Sequence, residues 1–196
     1  MPLLYEVAPD SGALRQGEIL GDIWEHRVRR PASQIPEGSL AEVDSRLHGL
    51  MIIMSAECDL YQDYVVRFSE QPAQEQHELG TDERHPAVIP QVLLCDLYKQ
   101  EEVRPRIGGA DIWKRINQNQ DERYHYLKAA PIGDPPQDEL PDLCLDFKKT
   151  LALPTKSLYE GVDGGQVKRV AVVPPLYIHD LVHRFYGYHS RVGLPD

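Results

Sequence analysis

Apolar runs of strand length, separated by turn residues, dominate the pattern of the chain. Residues 50–54 are apolar without a polar break, and the polar residues Ser55, Glu57 and Asp59 follow directly. A short apolar run with polar residues at its end is typical of a strand buried on both faces. We therefore predict a central strand over 50–54 whose end brings polar side chains to a rim, where functional sites are often built.

Other apolar or alternating runs predict the remaining strands. In residues 142–147, leucine and phenylalanine alternate with Cys144 and Asp146, which is the period-two pattern of a strand. The tetrapeptide Cys-Asp-Leu-Tyr occurs at 58–61 and again at 95–98, and we predict that it ends a strand in both places. The predicted strands are residues 17–24, 50–54, 61–68, 88–98, 123–127, 142–147 continued by 150–153, and 168–173.

Two segments have the period of a helix. A short inserted helix is predicted to follow Asp111, a good N-cap, and to end near Asn119. A C-terminal helix is predicted from Leu176 to about Tyr188. Its apolar stripe is expected to pack on the strands, because its polar face has too few Lys and Arg residues for a membrane-surface helix. The stripe consists of Ile178, Leu181, Phe185 and Tyr188.

These elements predict a mainly β (α+β) fold with one inserted helix and a C-terminal helix. Short strands with Pro and Gly turns are typical of a small β-barrel. We expect a single domain over 1–196, with the barrel at roughly 17–173 and the C-terminal helix and tail at 174–196.

Composition narrows the class of protein. The 196 residues are 41% hydrophobic and carry a formal net charge of −10, which disfavours non-specific nucleic-acid binding. No apolar run reaches the length of a membrane span, and the N-terminal residues lack the pattern of a signal peptide. We therefore expect a cytoplasmic protein with no membrane association and with free thiols at its three cysteines.

Two patterns suggest other chemistry, and a simpler interpretation is preferred for each. His179 and His183 have the spacing of a zinc-binding HExxH helix, but Asp180 replaces the glutamate and no third ligand is evident. Cys58 has no histidine near it in sequence to activate it as a nucleophile. The sequence also lacks a glycine-rich phosphate loop and a dinucleotide fingerprint. We therefore expect no metal and no cofactor.

The order of elements resembles the MazF/PemK-like toxin superfamily. Gly21-Asp22-Ile23 matches the family's early GDI/V strand, residues 50–55 match its aliphatic run that closes in serine, and residues 145–153 look like its late strand. The resemblance implies an SH3-like β-barrel with a C-terminal helix. It also implies a prokaryotic toxin–antitoxin or defence module, RNA cleavage, and an inhibitory protein partner.

The family's Arg-Pro pair is replaced here by His48-Gly49, with Arg46 two residues upstream. By analogy with such ribonucleases, His48 is a candidate general base and Arg46 a candidate cation for the phosphate. Ser55, Glu57 and Asp59 are candidate catalytic residues at the other end of the same strand, and either carboxylate has the chemistry of a general acid.

The two ends of that strand are too far apart to form one site. At about 3.3 Å per residue, His48 and Asp59 lie roughly 30 Å apart if the chain is fully extended. A working site therefore needs one end of the strand together with residues from other strands. A cleft that gathers Arg46, His48 and Arg191 would favour a metal-independent endoribonuclease. A flat apolar patch would favour the alternative, a non-catalytic β-barrel that binds a protein partner.

Overall fold

The computed structural model describes residues 3–29, 42–68 and 85–191. Within these residues, seven strands form one antiparallel sheet in the order β1-β9-β2-β3-β4-β8-β5, and β6 and β7 form a separate pair. The strands are β1 Glu6–Val7, β2 Glu18–Val28, β3 Val43–Ile53, β4 Gln91–Lys99, β5 Tyr124–Leu127, β6 Ala130–Ile132, β7 Asp138–Leu140, β8 Leu143–Pro154 and β9 Lys168–Val172.

The prediction of a mainly β fold is confirmed, but the prediction of a β-barrel is wrong, because the sheet is open. A barrel closes only when its two outer strands pair with each other. Here the two-residue β1 pairs with β9 and the four-residue β5 pairs with β8. No pairing joins β1 to β5 in the described part of the chain.

In the described ranges, five α-helices accompany the sheet, so the expectation of a single inserted helix is also wrong. The C-terminal helix is confirmed as α5, and the inserted helix is confirmed as α3. The predicted N-cap is wrong, because α3 begins at Ala110 after the N-cap Gly109, and Asp111 lies in its first turn. The helices are α1 Glu57–Phe68, α2 Gln100–Val103, α3 Ala110–Asn117, α4 Thr155–Asp163 and α5 Pro175–His189, with a 3₁₀ turn at Arg104–Arg106 after α2.

The predicted strand at 61–68 is part of α1. Leu60, Tyr64 and Phe68 are spaced by four residues and form a helical stripe, while Arg67 binds the buried Asp63 one turn earlier at 2.8 Å. Asp63 also accepts a hydrogen bond from the backbone of Ile89 at 2.9 Å, which fixes α1 against the chain that leads into β4.

The helices cover both faces of the sheet. Neighbouring residues of β2 face opposite sides, so Ile19 belongs to the core beneath α5 and Leu20 to the core beneath α1 and α4. The prediction for the C-terminal helix is confirmed, since Leu181 and Phe185 are fully buried in the first core beside Phe147. A smaller cluster around Val103, Ile116 and Cys144 lies under α2 and α3.

Strands β2 and β3 continue beyond the sheet as a hairpin. β9 pairs with β2 only as far as Gly21, and β4 pairs with β3 only from Leu50 onward. At the junction, Asp22 has a φ of 60°. The hairpin arm, residues 22–28 and 43–49, is therefore held by pairing between its own two strands.

Candidate functional site

A buried histidine between two carboxylates lies at the base of the hairpin arm. His48 Nδ1 is 2.6 Å from Asp96 Oδ1, and His48 Nε2 is 3.2 Å from Glu25 Oε2. All three residues are buried. We name Glu25, His48 and Asp96, with Arg46 and Tyr98, the His48 cluster.

Three neighbouring strands bring the cluster together. Within the arm, His48 lies opposite Ile23 and Arg46 lies opposite Glu25. Glu25 and His48 are therefore diagonal neighbours on one face, close enough for their side chains to meet. Asp96 comes from β4 on the other side, opposite Met51, near the point where β3 and β4 stop pairing.

The remaining groups of the cluster surround Asp96. The Tyr98 hydroxyl donates to Asp96 Oδ2 at 2.8 Å, and Arg46 Nη2 lies 4.0 Å from the same oxygen. Burial and the hydrogen bond to Asp96 raise the pKa of Tyr98, so this hydroxyl remains a proton donor at neutral pH. The carboxylate of Asp96 thus contacts His48 and Tyr98 directly and lies near the Arg46 guanidinium.

Glu25 stays ionised although it is buried. Burial acts to raise the pKa of Glu25, but hydrogen bonds from Arg27 and His48 outweigh it, and the pKa lies below its ordinary value. An ionised carboxylate only accepts hydrogen bonds. On its other side, the ring of His48 faces Asp96, so each ring nitrogen lies within hydrogen-bond distance of a carboxylate oxygen.

An open cavity of about 360 Å³ adjoins the cluster. The residues that line it include Arg46, His48, Asp96, Tyr98, Lys99 and Glu102. The cations of Arg46 and Lys99 and the Tyr98 hydroxyl at one opening suit an anionic group, and an imidazole beside a carboxylate suits acid–base chemistry.

The five sequence-predicted residues do not form one site. Arg46 and His48 lie together, as predicted for one end of the strand. Ser55 instead accepts a hydrogen bond from the Leu93 backbone at 2.9 Å. Glu57 accepts from the Gln16 backbone at 2.6 Å and from Arg15 Nε at 3.2 Å.

Asp59 and Arg191 are also separate from the cluster. Asp59 lies on α1, where its Oδ1 is 3.5 Å from Cys58 Sγ. Arg191 contacts Glu122 at 2.9 Å and does not line the cavity beside His48. The site is therefore built as the strand-length argument requires, from one end of β3 and residues of other strands.

Sequence reasoning missed Glu25, Asp96 and Tyr98 as members of this site. A signal for Asp96 was present, because a charged residue stands inside the apolar run of residues 92–97. Buried charges are seldom left without partners. What the pattern could not supply is the partner, since that depends on the pairing of β3 with β4.

Other buried ion pairs have structural roles. Arg169 binds Glu18 and the backbone oxygens of Gly12 and Ala13, which fixes the segment before β2 onto β9. Arg123 makes a two-pronged contact with Asp146 at 2.7 and 2.6 Å, which joins the β5 end to β8.

Two further properties of the described residues bear on function. Across residues 3–29, 42–68 and 85–191, no group of three or more His, Cys, Asp or Glu side chains is arranged to hold a metal ion. Among the helices in those same ranges, none has the length and apolar composition needed to cross a membrane.

Comparisons with protein-family models, with curated proteins and with solved structures found no match to this chain.

Proposed function

We propose that the protein is an endoribonuclease of the MazF/PemK-like kind and that it acts at the His48 cluster. The observation that carries this proposal is that Arg46 and His48 line one open cavity together with Asp96 and Tyr98. These side chains supply the cation, the proton donor and the proton acceptor that RNA cleavage requires.

The proposed chemistry is transesterification within the RNA. The 2′-hydroxyl attacks the adjacent phosphorus, the new 2′-oxygen–phosphorus bond forms, and the bond from phosphorus to the 5′-oxygen breaks. Asp96, which lines the cavity, accepts the proton of the 2′-hydroxyl. His48 donates a proton to the departing 5′-oxygen, while Arg46 and Tyr98 stabilise the negative charge on the phosphorane. The products carry a 2′,3′-cyclic phosphate and a 5′-hydroxyl.

This assignment gives His48 a role different from the one expected by analogy. The proposal makes His48 the acid because each of its ring nitrogens faces a carboxylate oxygen, the geometry of a donor. Glu25 positions the ring through its second nitrogen, Nε2. As in the family that the chain resembles, the proposal includes a toxin–antitoxin or defence module and an inhibitory protein partner that covers this cavity.

Incubation of the purified protein with total RNA, with and without a chelator, tests the proposal. We expect cleavage that the chelator does not change, loss of cleavage in His48→Ala and Arg46→Ala, and unchanged cleavage in Arg29→Ala. Arg29 is the matched control because it lies just beyond the arm, exposed and paired with Asp44 and Glu42.

A second function, a non-catalytic interaction protein, is favoured by one observation. Each ring nitrogen of His48 is already bound by a carboxylate, so the cluster satisfies itself without a substrate. The net charge of −10 points the same way. In this case wild-type protein shows no RNA cleavage but retains a stoichiometric partner from its native host, and Arg46→Glu loses that partner.

A further inference from the structure

The outer edge of β2 in the hairpin arm is unpaired by any strand in the described part of the chain. β9 pairs with β2 from Glu18 to Gly21, and no strand of the described ranges continues along Ile23–Val28 on the side away from β3. Such an edge presents unpaired backbone N–H and C=O groups and is a template for another strand. A two-stranded hairpin is also only marginally stable in water by itself.

One face of the arm is apolar and exposed. Trp24 and Val28 of β2 are 51% and 57% exposed, and their partners in β3, Leu47 and Val43, are 48% and 49% exposed. Single exposed apolar residues are ordinary, but four on one face of a hairpin make a patch. A mainly apolar cavity of about 560 Å³ continues the patch from Trp24 toward Leu158.

The sequence of the exposed β2 segment is complementary to itself. It reads Trp24, Glu25, His26, Arg27, Val28: apolar, acidic, polar, basic, apolar. If two such segments pair antiparallel about His26, Trp24 faces Val28 of the second copy. Glu25, which binds Arg27 of its own chain, also lies opposite Arg27 of the second copy. Directly opposite residues of an antiparallel pair interact through their side chains, so this register matches apolar with apolar and acid with base.

From this geometry we propose that the hairpin arm joins two copies of the chain, with β2 of one copy paired to β2 of the other across a two-fold axis at His26. A contact of this kind uses the same patch on both subunits and closes at a dimer. The two arms become one four-stranded sheet with a continuous apolar face. The proposal does not depend on the proposed ribonuclease function.

The opposite edge of the arm fits a second copy less well. Residues 43–47 have a similar symmetric order about Ser45, but side chains at the base of that edge already contact Asp96 of β4. The 2.6 Å contact of His48 with Asp96 and the nearby Arg46 guanidinium bridge the gap between β3 and β4. A strand added there would have to separate these groups. On the β2 side, the ion pair of Lys168 with Asp22 lies at the base of the arm, and that of Arg27 with Glu25 lies within β2 itself.

Engineered cysteines test the register. The Cys58→Ser substitution removes the exposed cysteine and leaves the two buried ones, Cys95 and Cys144. In that background, His26→Cys should form a covalent dimer under mild oxidation, because residue 26 faces itself at the axis. Ser45→Cys is the matched control, since each variant removes the same hydrogen bond between His26 and Ser45, and it should remain uncrosslinked.

Light scattering gives the second readout. We expect a mass twice the 22.3 kDa of one chain for wild type and for Leu176→Lys, which places a charge on an exposed apolar site of α5. Trp24→Lys should shift toward the monomer with an unchanged circular dichroism spectrum. Three results would each overturn the proposal: a monomeric wild-type protein, crosslinking through Ser45→Cys in place of His26→Cys, or an arm that binds only a different protein.

Discussion

The imidazole of His48 and the carboxylate of Asp96 join two neighbouring strands at the point where their backbones part. Pairing between β3 and β4 ends at Leu50 and Leu97, and the 2.6 Å contact from Nδ1 to Oδ1 lies just beyond it. The contact therefore holds the base of the hairpin arm against the sheet and forms one wall of the cavity that Arg46 borders.

Asp96→Ala should destabilise the protein strongly. The substitution leaves His48 buried with one carboxylate and removes the acceptor of the Tyr98 hydroxyl. Breaking a buried ion pair by removing one partner costs about 3–5 kcal/mol of unfolding free energy. Urea denaturation measures this loss. Asp44→Ala is the control, because Asp44 makes an exposed ion pair with Arg29 and its removal should barely move the midpoint. Equal midpoints for Asp96→Ala and wild type would contradict the account.

Phe185→Ala should also destabilise the fold. Phe185 is fully buried, and its ring packs edge-on against Phe147 at 5.6 Å between centroids. Replacing a buried phenylalanine by alanine costs about 3–5 kcal/mol, which should lower the melting temperature by many degrees. Tyr186→Ala, at the exposed neighbouring position, should melt close to wild type. If Phe185→Ala does so too, α5 is not part of the core.

A third prediction concerns acid and His125. This ring is buried beside Phe147, and Arg184 Nη1 lies 2.6 Å from its Nδ1. Burial and the charge of Arg184 lower the pKa of His125 to about 3, against an ordinary value of 6.5. Between these two pH values the unfolded chain binds a proton that the folded chain does not. Stability from this residue is therefore intact above pH 6.5 and falls as the pH drops toward 3.

The size of this effect can be isolated with a variant. Between pH 7.5 and pH 5, His125 should contribute a loss of about 2 kcal/mol in unfolding free energy. His125→Asn keeps an acceptor for Arg184 but does not titrate. Urea unfolding at both pH values should therefore show a smaller loss for His125→Asn than for wild type. Equal losses in the two proteins would contradict a neutral, buried His125.

The repeated tetrapeptide shows how far local sequence determined the fold. Cys-Asp-Leu-Tyr forms the start of α1 at 58–61 and lies within β4 at 95–98. In α1 the residues that follow continue a four-residue spacing through Tyr64 and Phe68, whereas in β4 the residues before it are a strand-forming apolar run. The tetrapeptide itself has no preference strong enough to decide, so the tertiary environment selects the element.

Alternation and apolar runs located β2, β3, β4, β8 and β9 because one or both faces of these strands are buried. They could not show whether the sheet closes, since closure depends on pairing between the edge strands. The helix α4 was also missed: its buried residues Leu158 and Tyr159 are adjacent, and Gly161 interrupts the helical pattern.

Part of the His48 cluster could be predicted from the spacing of residues along one strand, and the rest required the register between strands. Arg46 and His48 are two residues apart on one strand and so share a face, which made their proximity predictable from the period of two. Glu25 and Asp96 are distant in sequence and reach His48 through the pairing of β2 with β3 and the approach of β4. Ser55 and Glu57 were singled out by the same polar boundary, but they satisfy backbone groups of Leu93 and Gln16.

The rate of cleavage of one defined single-stranded RNA most directly tests the central claim, that the His48 cluster is a ribonuclease site. The measurement compares wild type, Arg46→Ala and Arg29→Ala under identical conditions. We predict that Arg46→Ala lowers kcat by about 100-fold, as expected for loss of a group that stabilises transition-state charge. Arg29→Ala should stay within roughly twofold of wild type, because its ion pairs are exposed. A wild-type protein that does not cleave, or an Arg46→Ala variant that cleaves like wild type, would contradict the claim.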